Sequence, residues 1–167
     1  DELKSIAAGL TEEQYAQEFE CSFEAAVIGA YYGRLMAAAE ADKRIAGVPY
    51  EPTAQVYTAW DLGIRDSTAI WFAQIVGREI RIIDYIEESG YGLQHYAKML
   101  QDRGYVYSQH ILPHDARVRE LGTGVSRIET LQGLGINNIT ICPNIMVEDG
   151  IQAVRQTLPK IWFAEGK

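Results

Sequence analysis

Carboxylates standing at the ends of apolar runs are the side chains of this sequence whose type and place could do chemistry. VYTAWDLGIRDSTAIWFAQIV, residues 56–76, sets Asp61 at the end of one such run and Asp66 just before the next. Alternation along the first run puts Val56, Thr58, Trp60 and Leu62 on one face, and Tyr57, Ala59, Asp61 and Gly63 on the other. ILPHDA, residues 111–116, closes a later run with His114 and Asp115. Functional groups of α/β sheets gather where strands end and loops open. If these two strands are neighbours, their carboxylates meet, and unit charges ~4 Å apart repel by roughly 4 kcal/mol at an effective dielectric of about 20. A divalent cation relieves that repulsion; hard oxygen ligands suit magnesium or manganese. A pair of such ions can generate a hydroxide and stabilise the leaving oxygen in phosphodiester cleavage. On this reading Asp61 is expected to be buried among sheet residues and neutralised by a cation.

The same residues carry plainer readings. Asp61 followed by Gly63 also reads as a turn signal, Asp115 as a loop or helix-capping acid, and His114 as a structural histidine. Asp66 in GIRDST fits a turn or cap, or a supporting place at the metal. Asp84, in IRIIDYIEE, is assigned to the face of Ile80 and Ile82 as a paired sheet acid. Arg117, Arg119 and Arg127 bracket the glycine-bearing loop after Asp115, where they could contact a nucleic-acid backbone. A solvated loop, with Glu120 and Glu129 as counterions, accounts for them equally.

The elements that position these groups follow from pattern. With 167 residues, 47% apolar and 23% charged, the chain is long enough for a core without disulfides or structural metal. Its net charge of -8 restricts nucleic-acid contact to a local patch. Cys21 and Cys142 lack zinc-ligand spacing and are expected as buried or half-buried thiols. No apolar run reaches the roughly 18 residues of a membrane span.

Residues 1–45 have helical character, with a capping box at Thr11–Gln14. A second helix, YYGRLMAAAEADKRIA, puts Tyr32, Leu35, Met36 and Ala39 on one face and is expected to end at Gly47 with Lys43 and Arg44 in its last turn. VPYEPTAQ is a linker or an extended lead-in. Three strand-like runs from residue 56 onward predict an antiparallel meander, the middle one buried on both faces. Beyond Gly92, helix and strand alternate: Leu93, Tyr96, Ala97 and Leu100 mark a helix closed by Gly104, a strand covers SQHILPHDA, and a capping box at Ser126 and Glu129 opens RIETLQGLG. A short strand ITICP and a helix with Val147, Ile151, Val154 and Leu158 follow. The whole predicts an α/β fold, a mixed sheet flanked by helices, with an N-terminal helical extension.

QEFECSFEAAVIGAYYGRLM, TAWDLGIRDSTAIWFAQ, LPHDARVRELGTGVSRIETLQGLG and VEDGIQAVRQTLPKIWF together resemble, in order, the C-terminal nuclease domain of the large terminase subunit of tailed bacteriophages. The resemblance implies an RNase H-like fold and a two-metal-ion endonuclease, using Mg2+ or Mn2+, that cuts concatemeric double-stranded DNA as heads are filled. It implies Asp61 and Asp115 as catalytic metal ligands, with the third acid expected beyond Lys167. Glu148 and Asp149 are read instead as helix-opening acids. No GxxxxGK[ST] loop occurs, so residues 1–55 are expected to lead from a missing ATPase motor, and residues 56–167 to form the nuclease domain, incomplete at its C-terminus. Weak metal binding and poor cleavage are expected of such a fragment alone. The implied partners are DNA, the portal protein, the small terminase subunit and that motor, with no membrane, in the host cytoplasm.

Two rival readings come from other classes. DLGIRDSTAIWF also resembles the first phosphate hairpin of the actin, Hsp70 and sugar-kinase group, though the chain has no room for the second hairpin and adenosine-binding segment those proteins need. A non-catalytic module docking DNA or a portal ring is the other.

Overall fold

The computed structural model describes residues 30–63 and 66–166, in two compact units. The Thr11 capping box and Cys21 lie outside the described residues.

One unit joins residues 30–45 to Met146–Pro159. Helix α1 (Gly33–Ala41) turns Ala39 inward but stops six residues short of Gly47. Lys43, at φ 56°, enters the left-handed region, so Lys43 and Arg44 lie past the helix rather than in its last turn. The Arg44 guanidinium donates through Nη1 to the Leu158 carbonyl at 3.0 Å, and Arg155 Nε donates to that of Tyr31 at 3.0 Å.

The other unit, Ala46–Ile145 with Lys160–Lys167, contains the sheet. Strands β2 (Val56–Asp61), β3 (Thr68–Val76) and β4 (Glu79–Glu88) form the expected antiparallel meander. On its β2 side, β5 (Tyr107–Leu112) and β6 (Ile139–Ile141) add in parallel; on its β4 side, β7 (Ile161–Ala164) does the same. The two-residue β1 (Ile45–Ala46) lies beyond β7, where the Ala46 carbonyl accepts from Glu165 N–H. The order β7-β4-β3-β2-β5-β6 is the RNase H-like mixed sheet.

Helices α2 (Leu93–Asp102) and α3 (Arg127–Gly133) supply the covering layer. Their Tyr96, Ala97, Leu100 and Leu131 join Val56, Trp60, Ile70, Phe72 and Leu112 in one core. Gly104 closes α2 with φ 66°, and both halves of the Ser126–Glu129 capping box are formed at α3. Burial along β3 nevertheless alternates strictly. Trp71 and Ile75 are 41% and 56% exposed, so among the described residues β3 is covered on one face only, contrary to the two-sided burial its composition predicts. Apolar character does not distinguish a covered face from an open one.

A β-bulge at Ile83 corrects a second expectation. Phe72 pairs with Asp84 and Ala73 with Ile82, leaving Ile83 as the extra residue. Asp84 therefore falls on the core face of the sheet, opposite Ile80 and Ile82, where it is 7% exposed and accepts from Arg103 Nε at 2.7 Å. The same guanidinium lies 5.1 Å over the Phe72 ring and donates to the Met99 carbonyl, so Asp84 is the paired acid expected, on the other face.

Candidate active site at the strand ends

Asp61 is the last residue of β2 and pairs with Ala69 of β3, which in turn pairs with Glu87 of β4. The three share the open face of the sheet with Ala59, Trp71 and Tyr85, because cross-strand partners point the same way. Asp61 is exposed, not buried: the face assignment from alternation is right, while the covering expected over it is absent among the described residues. Its charge reaches Tyr85, whose phenol is pushed above its ordinary range by desolvation first and then by its hydrogen bond to Glu87, with Asp61 adding to both. Trp71 packs on Tyr85 with ring centroids 4.4 Å apart.

Gly63 shapes the exit of this strand. A Cβ there would lie 2.6 Å from the Asp66 carbonyl oxygen and 2.7 Å from that of Ser67, so backbone closes on backbone where only glycine fits. The Thr68 hydroxyl donates to the Gly63 carbonyl at 2.9 Å and completes the turn. Asp66 is exposed within it.

Asp115 stands one strand away. The parallel register of β2 and β5 runs through Thr58↔His110 and Ala59↔Ile111, so both chains leave the sheet at the same end, two residues after Ala59 at Asp61 and four after Ile111 at Asp115. Pro113, which cannot donate to a ladder, ends β5 at Leu112. Asp115 therefore sits not on the strand, as the apolar run suggested, but in the 3-10 turn His114–Arg117 that follows. It is exposed, as is His114, and Ala116 anchors the turn in the core.

The basic residues are drawn into local ion pairs. Arg127 Nη1 meets Asp115 at 3.2 Å and its Nε meets Glu120 at 3.8 Å; Arg119 meets Glu129 at 3.5 Å. Arg117 is exposed on the turn itself. Among the described residues no three metal-capable side chains are gathered. Asp61 and Asp115 each present hard oxygen donors, Asp61 on the open face at the end of β2 and Asp115 in the turn after β5, paired with Arg127 of α3. Cys142, expected to be at least half buried, is exposed.

Two features escaped sequence reading. His110 is 4% exposed in β5, its Nδ1 2.7 Å from the Thr58 hydroxyl, which accepts from Trp60 Nε1 at 2.8 Å. Burial pulls its pKa down to about 4, so it is a neutral core histidine. Beyond β4, Gly90 and Gly92 flank Tyr91, which stacks on His95 and lines a cleft of about 500 Å³. That cleft also meets Leu62, Gly63, Thr68 and Arg127. The only sequence signal was an aromatic between two glycines.

No family model and no curated protein matches the chain. Solved structures do. The large terminase nuclease of thermophilic phage G20c with bound magnesium is 14% identical, with a TM-score of 0.56, over 84% of this chain and 76% of that one. The P22 large terminase nuclease domain is 16% identical, with a TM-score of 0.53, over 73% and 68%. The large terminase of a second thermophilic bacteriophage is 15% identical, with a TM-score of 0.56, over 74% of this chain and 32% of that one. The chain thus spans about a third of that last protein and shares the fold of terminase nuclease domains. The G20c nuclease is also solved with cobalt and with zinc.

Proposed function

We propose that this chain is the nuclease domain of a large terminase, a metal-dependent endonuclease that cuts concatemeric double-stranded DNA during viral genome packaging. The observation that carries the reading is the exit of Asp61 and Asp115 from neighbouring parallel strands at one end of an RNase H-like sheet. The likeness to nuclease domains solved with divalent metals supports it.

In this reading Asp61 and Asp115 hold two Mg2+ or Mn2+ ions, with Asp66 at the turn in support. Bound metal would supply a hydroxide nucleophile and a Lewis acid for the leaving oxygen. The chain's own part is positional. Gly63 fixes the backbone just after Asp61 and Ala116 pins the turn bearing Asp115, while the Arg127 guanidinium occupies the Asp115 carboxylate until metal displaces it. Arg117, Arg119 and Arg127 would contact DNA phosphates, Arg119 and Arg127 after leaving or sharing their present carboxylate partners. Residues 1–55 would connect to an ATPase motor and residues 56–167 form the cutting domain. The portal protein and small terminase subunit are the proposed partners, on a procapsid in the host cytoplasm.

A docking role without cutting is the second reading, favoured by the Arg127–Asp115 pair, which occupies one of the two carboxylates. Manganese titration followed by electron paramagnetic resonance, with plasmid cleavage in parallel, separates the two. In the full-length protein, the nuclease reading expects manganese binding and cleavage that both disappear in Asp61→Asn and Asp115→Asn. Binding and cleavage left intact by both substitutions would overturn it.

A further inference from the structure

We infer that Tyr91, backed by His95, is a stacking platform for an unpaired base of a nucleic-acid strand in the cleft walled by Leu62, Gly63 and Arg127; that the ligand is a strand rests on the nuclease reading. The rings of Tyr91 and His95 are stacked, with centroids 4.0 Å apart at 16°, yet Tyr91 is 56% exposed. His95 covers one face of the phenol, and more than half of the residue stays open to solvent. A large aromatic in that state has no core to serve.

Its support is rigid. His95 Nε2–H donates to Glu88 Oε2 at 2.6 Å, and its ring meets the edge of Tyr96 at 5.3 Å and 81°. The Tyr96 hydroxyl donates to the Glu88 carbonyl at 2.8 Å, and Tyr96 itself is buried in the core. The end of β4 thus braces the platform twice through one residue. Gly90, at φ 82°, makes the sharp turn, and Gly92 caps the start of α2; a Cβ at either would meet nothing within 4 Å. An aromatic ordered in advance stacks a base without the cost of freezing its own rotamer.

The cleft ties the platform to the reacting end of the sheet. Its wall includes Leu62 and Gly63, directly after Asp61, and Arg127, the ion-pair partner of Asp115. At about 500 Å³ it accommodates a nucleotide, with Leu62 and Leu93 for apolar contact and Thr130 and Arg127 for polar groups. A base displaced from its stack and laid on Tyr91 would fix the register of the strand at this end of the sheet, where Leu62 and Gly63 follow Asp61 and Arg127 pairs with Asp115.

The test is metal-free binding of a short single-stranded oligothymidylate, read by fluorescence anisotropy, with photocrosslinking of a 5-iododeoxyuridine version mapped by mass spectrometry. Tyr91→Ala should weaken binding by about tenfold, Tyr91→Phe should keep it, and the crosslink should fall on Tyr91. An abasic oligonucleotide should bind the parent chain and Tyr91→Ala equally. Unchanged affinity in Tyr91→Ala, an equal loss on the abasic strand, or displacement by free adenosine triphosphate as readily as by oligonucleotide would each overturn the proposal. Cleavage unaffected by Asp61→Asn alongside a surviving Tyr91 effect would remove the nuclease reading alone; the converse pattern would remove the platform alone.

Discussion

Arg127, at the start of α3, and Asp115, in the 3-10 turn after β5, face each other across an ion pair of 3.2 Å, with the guanidinium largely covered and the carboxylate half open to solvent. The cation that a nuclease would need at Asp115 must compete with one already there. Arg127→Gln should therefore tighten manganese binding severalfold while weakening DNA binding, both read on the same preparation. Stability should change by less than about 1 kcal/mol, as for other solvent-accessible pairs. Weaker metal binding in the variant would show that Arg127 orients Asp115 rather than blocks it.

His110 makes stability depend on pH. Its folded pKa, about 4, lies below the ordinary value of 6.5, so the unfolded chain binds the proton more readily. The sign follows: stability is fully present above pH 6.5 and is lost as pH falls toward 4, by roughly 3 kcal/mol in total from this group. Urea denaturation at pH 7 and pH 5 should differ accordingly. His110→Gln should flatten that part of the slope; an unchanged slope would place the titration elsewhere.

The Asp84–Arg103 pair is structural, and the strand ends should not feel its loss in the same way. Asp84→Ala strands a largely covered guanidinium over Phe72 and should cost about 3 kcal/mol by chemical denaturation. Manganese affinity of the folded fraction should be unaltered. A matching drop in affinity would mean the core face and the strand ends are coupled.

Gly63→Ala tests the close approach after Asp61. The added carbon would meet two backbone oxygens at 2.6 and 2.7 Å, neither of which can swing away as a side chain would. The turn must open, and we expect a loss of about 2 kcal/mol with weaker metal binding at Asp61. Equal stability and affinity in the variant would show that the turn moves freely.

Much of the fold was legible because alternation and caps are local signals. The faces of β2, the meander, the Gly104 stop and the Ser126 box all follow from neighbours in sequence. What was illegible depended on distant parts of the chain or on backbone choices open to many residues. Trp71 and Ile75 read as core because apolar character carries no information on whether anything lies over it. Lys43 leaves the α region without the glycine that usually announces it. At the strand ends, the exits of Asp61 and Asp115 could be read, but the shift of Asp115 into a 3-10 turn follows from Pro113, and its arginine partner comes from α3. The Tyr91–His95 stack joins residues four positions apart, yet its exposure could come only from three dimensions.

The extra residue at Ile83 leaves β4 with slack. Because Ile82 already pairs with Ala73 and Asp84 with Phe72, removing Ile83 would let the two halves join in an unbroken ladder with every other partner kept. A codon lost there would be absorbed locally, at the cost of one core side chain, whereas Glu87 would still stand in line with Asp61. The segment between the hairpin and the strand ends can thus tolerate a change of length during divergence while the far end of the sheet holds its alignment.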